Sequence, residues 1–132
     1  MPGFIDLPND IVENVSIPAF ATAGETPVYR AQANGVVVAA FWVPSAAVSH
    51  NATNYCTLAL RNRTTGAGTA LPATRSYAAT DSVAFVAEAM TLDATLANTQ
   101  FVAGDVLTAQ VTDAGAGLAL PAGYLDLHIR WR

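Results

Sequence analysis

The sequence predicts an all-β domain, a single antiparallel sandwich or jelly roll of about seven or eight strands, on three observations. Period-two alternation of apolar and polar residues recurs along the chain, as strands with one buried face require. Clusters of Pro, Gly, Asn and Asp interrupt those runs at short intervals. No long stretch carries a persuasive helical stripe. At 132 residues the chain has the size of one domain. A chain of that size buries roughly 65–70% of its unfolded surface without staples.

The clearest element is the last. Leu125, Leu127, Ile129 and Trp131 share one face of a strand, with Tyr124, Asp126, His128 and Arg130 on the other. Residues 55–61 behave likewise, Cys56, Leu58 and Leu60 opposing Tyr55, Thr57, Ala59 and Arg61. Over 106–112, Leu107, Ala109 and Val111 oppose Thr108, Gln110 and Thr112. The continuous apolar run 36–43 reads as a strand buried on both faces. Further strands are predicted at 16–20, 27–31, 73–78 and 82–89. In the last of these, Val83, Val86, Ala87 and Met90 also fit a helical spacing. Asn34-Gly35 predicts a two-residue hairpin between the strands at 27–31 and 36–43.

Residues 1–15 stand apart from the domain at 16–132. Three acids (Asp6, Asp10, Glu13), two prolines and scattered Phe4, Ile5, Leu7, Ile11 and Val12 predict neither a strand nor a stable helix. Two readings stand: a frayed terminus, or an arm that docks Phe4, Ile5 and Leu7 onto a neighbour. Phe4 and Ile5 suit the arm better, being poor choices for a tail meant only for water.

Composition narrows the function. Hydrophobic residues make up 52% of the chain and charged residues 12%, about half the usual charged share. Much of the apolar fraction is 27 alanines, and all six basic residues are arginine. Arginine without lysine follows from a GC-rich coding bias, and it also suits interfaces. The net charge of −4 and the lack of a basic stripe argue against a nucleic-acid partner. The start of the chain does not read as a signal peptide, and its longest apolar run spans nine residues, too short to cross a bilayer. Synthesis in a cytoplasm and no membrane partner are therefore expected. The lone Cys56 excludes an internal disulfide and reads as a small buried hydrophobe.

Chemistry is hard to assemble from these residues, and neither an enzyme nor a cofactor or metal is expected. His128 lies between Asp126 and Arg130 on one strand face, about 7 Å from each, which is no triad. His50 lies in a polar loop. Glu88 is the one acid inside a predicted strand, and Asp105 and Asp113 sit at turns. Arginines gather at Arg61 and Arg63 with Arg75, and at Arg130 and Arg132, while acids dominate the first fifteen residues. That separation suits head-to-tail docking between subunits. Candidate partner-binding residues are therefore Phe4, Ile5, Leu7, Arg61, Arg63, Tyr124, Asp126, His128 and Arg130.

The second half of the chain also resembles a known group. It carries Met90-Thr91-Leu92-Asp93-Ala94-Thr95-Leu96-Ala97-Asn98, then Phe101-Val102-Ala103-Gly104-Asp105-Val106-Leu107-Thr108, then Gly115-Ala116-Gly117-Leu118-Ala119-Leu120-Pro121-Ala122-Gly123-Tyr124. With Leu58-Ala59-Leu60-Arg61-Asn62-Arg63 and the following Gly66-Ala67-Gly68-Thr69, these stretches resemble the small jelly-roll head decoration (cement) proteins of tailed bacteriophages. The resemblance spans residues 28–131 and leaves the N-terminal segment outside. It implies a homotrimer on the outer surface of a virion, clamping neighbouring major capsid subunits. The alternatives are another virion module (head fibre, vertex, tail or host-adsorption protein) or a small carbohydrate- or ligand-binding sandwich. An adsorption module is expected to show exposed aromatics, whereas Phe41, Trp42 and Trp131 fall in predicted core strands.

Overall fold

The computed structural model describes residues 10–63 and 68–132. Within them lie β1 (Asp10–Ile17), β2 (Gly24–Arg30), β3 (Gly35–Pro44), β4 (Tyr55–Asn62), β5 (Ala73–Ser76), β6 (Glu88–Ala89), β7 (Thr91–Leu92), β8 (Gln100–Phe101), β9 (Val106–Ala114) and β10 (Gly123–Trp131). One sheet runs β1-β10-β3-β6, with β8 also on β3, and the other runs β2-β9-β4-β5-β7. Every pairing is antiparallel. Counting β6 and β8, which pair with the same side of β3, as one interrupted strand gives β1-β10-β3-β6/β8 against β2-β9-β4-β5, with β7 added at the edge beyond β5, the interleaved order of a jelly roll. The expected all-β sandwich is the observed fold.

The core lies between the sheets. Val37, Ala40, Trp42, Leu125, Leu127 and Ile129 of the first meet Cys56, Leu58, Leu60, Leu107, Ala109 and Val111 of the second. These are the apolar halves of the alternating runs. At one end of the sandwich Phe101 closes the core, edge-on to Tyr29 at 6.1 Å and to Trp131 at 6.5 Å.

Several expectations are corrected. The N-terminal segment does not stay apart up to residue 15, because β1 pairs residue by residue with β10 from Asp10 to Ile17. Its inward positions Ile11, Val15 and Ile17 are apolar, but Glu13 breaks the alternation and hides the strand. The weak strand expected at 16–20 begins earlier and ends at Ile17. Phe4, Ile5 and Leu7 lie outside the described residues.

Asn34-Gly35 forms no hairpin, since β2 pairs with β9 and β3 with β10. Gly35 does not have the positive φ a two-residue type I′ turn demands. It serves close packing: a Cβ there would lie 2.6 Å from Phe101 Cζ. Asn34 instead bridges two neighbours, its Oδ1 accepting from Ala103 N at 3.0 Å and its carbonyl from Arg132 N at 3.0 Å.

The strand or helix expected over 82–89 is neither. Only Glu88 and Ala89 are strand, and residues 83–86 form a turn with Phe85 at φ 62°. The run 36–43 is fully buried on its inner face, whereas on its outer face Val43 is buried and Val36, Val38 and Phe41 are only partly covered.

Candidate binding surfaces

Four of the expected partner-binding residues come together on the outer face of the first sheet. Antiparallel register sets Arg130 beside Asp10, His128 beside Val12, Asp126 beside Asn14, and Tyr124 beside Ser16. On the other flank they face Val36, Ala39, Phe41 and Val43 of β3. Register slips between His128 and Ile129, so β3 carries one extra residue, Val38, at a bulge. Val38 thereby adds an apolar group to the outer face. It lines a depression of about 240 Å³ together with Asp10, Val12 and His128.

The polar groups of this face pair across strands rather than along one. Asp10 accepts from Arg130 Nε at 2.8 Å and from its Nη2 at 3.1 Å, a fork-on-carboxylate contact. The hydrogen bond from Arg130 holds the Asp10 carboxyl below its usual range, and Asp10 in turn raises the guanidinium. Asp126 accepts from Asn14 Nδ2 at 2.5 Å. His128 turns its ring to Phe41, with centroids 5.3 Å apart. Between these pairs the apolar Val12 (56% exposed) and Tyr124 stay open to solvent, and Val38 and Phe41 are half-buried. Segregated charge had been expected to serve contacts between subunits; Asp10 and Arg130 instead close a contact within the chain.

Arg61 and Arg63 lie elsewhere. Arg61 lies in β4 of the second sheet and Arg63 just beyond its end, on the side where Glu25, Thr108 and Gln110 point outwards. Arg61 donates to Gly68 O at 2.8 Å and to Gln110 Oε1 at 3.2 Å. Arg63 forms a two-pronged ion pair with Glu25, at 2.6 and 2.9 Å, and Thr108 adds a hydroxyl at 2.5 Å. These contacts, led by that of Arg63, hold the Glu25 carboxyl down at about 2. The expected arginine cluster breaks up, because Arg75 points to the interior edge of the sandwich.

Arg75 belongs to a buried relay that the sequence did not announce. Trp42 Nε1 donates to Tyr77 Oη at 3.0 Å, Tyr77 Oη lies 2.6 Å from Ser82 Oγ, and Ser82 donates to the Glu88 carboxylate at 2.8 and 2.9 Å. Arg75 Nε meets Glu88 Oε1 at 2.9 Å, and its guanidinium lies 4.0 Å from the centre of the Tyr77 ring. Each proton in the chain has an acceptor and the one carboxylate has its cation, so burial leaves no polar group stranded. Burial also raises the Tyr77 phenol above its ordinary value. The relay ties the 77–88 connection to the core, and Arg75 adds bonds to the carbonyls of Thr80 and Asp81. Nearby, in the polar loop, His50 Nδ1 meets Asp81 Oδ1 at 2.6 Å. Glu88, the one acid inside a predicted strand, is the relay's terminus.

At that end of the sandwich the surface is apolar. Val83, Phe85 and Val86 are 63%, 76% and 49% exposed on the turn. A hollow of about 500 Å³ opens close by, lined by Phe20, Ala47, Val48, Leu118, Ala119 and Pro121 among others. Phe85 is therefore an exposed aromatic, in a segment whose apolar composition had placed it in a strand.

Comparison with known proteins finds no matching family model, curated protein or solved structure. Among the described residues no group of three or more His, Cys, Asp or Glu is placed to hold a metal ion, and no helix is long and apolar enough to cross a membrane.

Proposed function

We propose that this chain is a structural module of a phage virion, which binds the outer surface of the head shell and holds neighbouring major capsid subunits together. The observation that carries the reading is the outer face of the first sheet. There Asp10 and Arg130 form an ion pair, Asp126 accepts from the Asn14 amide, and the apolar Val12 and Tyr124 lie exposed beside the half-buried Val38 and Phe41. The ion pair and the Asn14–Asp126 hydrogen bond lower the desolvation cost of covering this face, and the Asp126 carboxylate is left for a partner to meet.

Its size sets how it would work. Four residue pairs along three strands cover about 400 Å², taking ~6.8 Å per two residues and ~4.8 Å between strands. A stable interface buries about 800 Å² per partner, so a single such contact is weak. A homotrimer touching several capsid subunits multiplies weak contacts into firm attachment. The resemblance of residues 28–131 to head decoration proteins supplies the shell and the trimer in this reading.

The test is copy number per particle, by quantitative mass spectrometry of purified virions against the major capsid protein. Hundreds of copies are expected. A dozen or a few dozen would move the chain to a vertex, tail or fibre, and absence from the particle would overturn the reading. Val12→Glu, which places an unpaired acid on the exposed part of the face, is expected to lower rebinding to stripped particles at least tenfold while leaving the fold intact.

A further inference from the structure

We infer that the chain self-associates through its turn at residues 83–86, with Phe85 of one copy seated in the apolar hollow of another. The inference bears on the self-association that the shell-binding reading invokes, and it uses a different surface from the outer face of the first sheet that would meet the shell.

The turn is built as a rigid knob. Phe85 holds φ 62°, a left-handed conformation that side chains with a Cβ rarely adopt. Such strain persists only where the surroundings enforce it. Here Phe85 N donates to Pro44 O at 2.8 Å, Ser82 and Val48 exchange backbone bonds at 2.9 and 3.2 Å, and Ser82 and Glu88 are held by the buried relay. The enforced geometry leaves the largest apolar side chain of the turn 76% exposed. A solvent-facing turn would relax by placing Gly or Asn at that position. Val83 and Val86 widen the knob on either side.

The hollow is the matching half. Its floor is fixed by the paired backbones of Phe20 and Leu120, with both hydrogen bonds at 2.9 Å. A cavity of about 150 Å³ accepts a benzene ring. The hollow's 500 Å³ thus admits the Phe85 ring with an isopropyl group of Val83 or Val86 beside it. Phe85 does not fill the hollow of its own chain, because the segment after Pro44 runs between them. That segment is bonded to Phe85 on one side, through Pro44 O, and to Ala122 on the other, where Ser45 N donates at 2.8 Å.

Knob and hollow therefore lie side by side on one end of the sandwich, and that placement sets the closure. Patches on the same end close as a two-fold pair, or as a ring of three when their directions diverge by about 60°; patches on opposite ends would give an open filament. The occupant of the hollow is a second copy of this chain, in a closed assembly of two or three.

The experiment is sedimentation equilibrium of the full chain over a hundredfold concentration range, with Phe85→Gly, Phe85→Ser and Ala119→Arg. The wild type is expected to reach the mass of two or three copies. Phe85→Gly removes the ring and relieves the strain, so it is expected to keep or gain thermal stability and lose association at least tenfold. Phe85→Ser keeps a Cβ and is expected to lose association equally. Ala119→Arg fills the hollow from an exposed position and is expected to be monomeric. An equimolar mixture of Phe85→Gly and Ala119→Arg retains one intact knob and one intact hollow, so a mixed dimer is expected. A wild type that stays monomeric, or variants that associate like it, would overturn the inference. So would capture of the monomeric wild type, but not of Phe85→Gly, by phosphatidylcholine vesicles, which would assign the turn to a lipid surface.

Discussion

Replacing Tyr77 by Phe tests the buried relay at its central joint. The ring keeps its place in the core, since Tyr77 is fully buried and the change removes a single oxygen. That oxygen is the acceptor for Trp42 Nε1, and Trp42 is itself fully buried. The indole N–H then has no partner in the relay, at a cost of about 1–3 kcal/mol. Ser82 loses one neighbour but keeps Arg75 at 3.2 Å and the Glu88 carboxylate, so most of the effect falls on the tryptophan. A loss of about 2 kcal/mol is expected, which for a domain of this size lowers Tm by about 6–10 °C. Urea unfolding followed by Trp fluorescence should show a lower midpoint at unchanged slope. Ser82→Ala strands the Tyr77 proton instead, at about 1–2 kcal/mol. The double variant should lose less than the sum, by at least ~0.5 kcal/mol, because both substitutions break the same chain. A loss below ~0.5 kcal/mol for Tyr77→Phe, or strict additivity, would refute the relay as a cooperative unit.

Acid should destabilise the domain through Glu25. Its folded value of about 2 lies below the ordinary 4.5, so the stabilisation is complete above about pH 4.5 and lost as pH falls towards 2. The full difference corresponds to at most about 3.4 kcal/mol; with the Glu25 and Arg63 side chains 23% and 29% exposed, screening reduces it to about 1–2 kcal/mol. Glu25→Gln should flatten that part of the pH profile in denaturant titrations. Gly123→Ala should cost at least ~3 kcal/mol or abolish folding, because the added Cβ presses on the Val43 carbonyl and lies 2.7 Å from the Trp42 ring; circular dichroism on the purified variant checks it. Truncation through Asn14 removes five of the eight residues of β1 and uncovers β10, so a strong fall in Tm is expected. The Cys56 thiol, buried and raised by that burial, should react with a thiol reagent only as fast as the domain opens.

The fold class was legible because period-two alternation is a local property. Leu58 and Leu60, Leu107 and Val111, and Leu125, Leu127 and Ile129 alternate with polar neighbours and end on the two inner faces, whatever the strand order. The outer-face set Tyr124, Asp126, His128 and Arg130 was legible for the same reason. Glu13 hid β1, because an acid at an inward edge position imitates a polar tail. Asn34-Gly35 misled because a dipeptide specifies a preferred turn but not which strands meet across it.

By itself, then, the sequence determined the inward and outward faces of the alternating runs at 55–61, 106–112 and 124–131, and that no long helix intervenes, since each depends on near neighbours along the chain. Tertiary structure alone decided the pairings between residues far apart. Asp10 meets Arg130 across 120 positions, Glu25 meets Arg63 across 38, and Trp42 reaches Tyr77 across 35. It also decided that Phe85 stands in water, because the bonds to Pro44 and Val48 and the relay through Ser82 and Glu88 enforce a backbone geometry that no local preference of Ala84-Phe85-Val86 would select. Those contacts form only when the sheets stack and distant strands come within reach, and no window of neighbouring residues encodes that event.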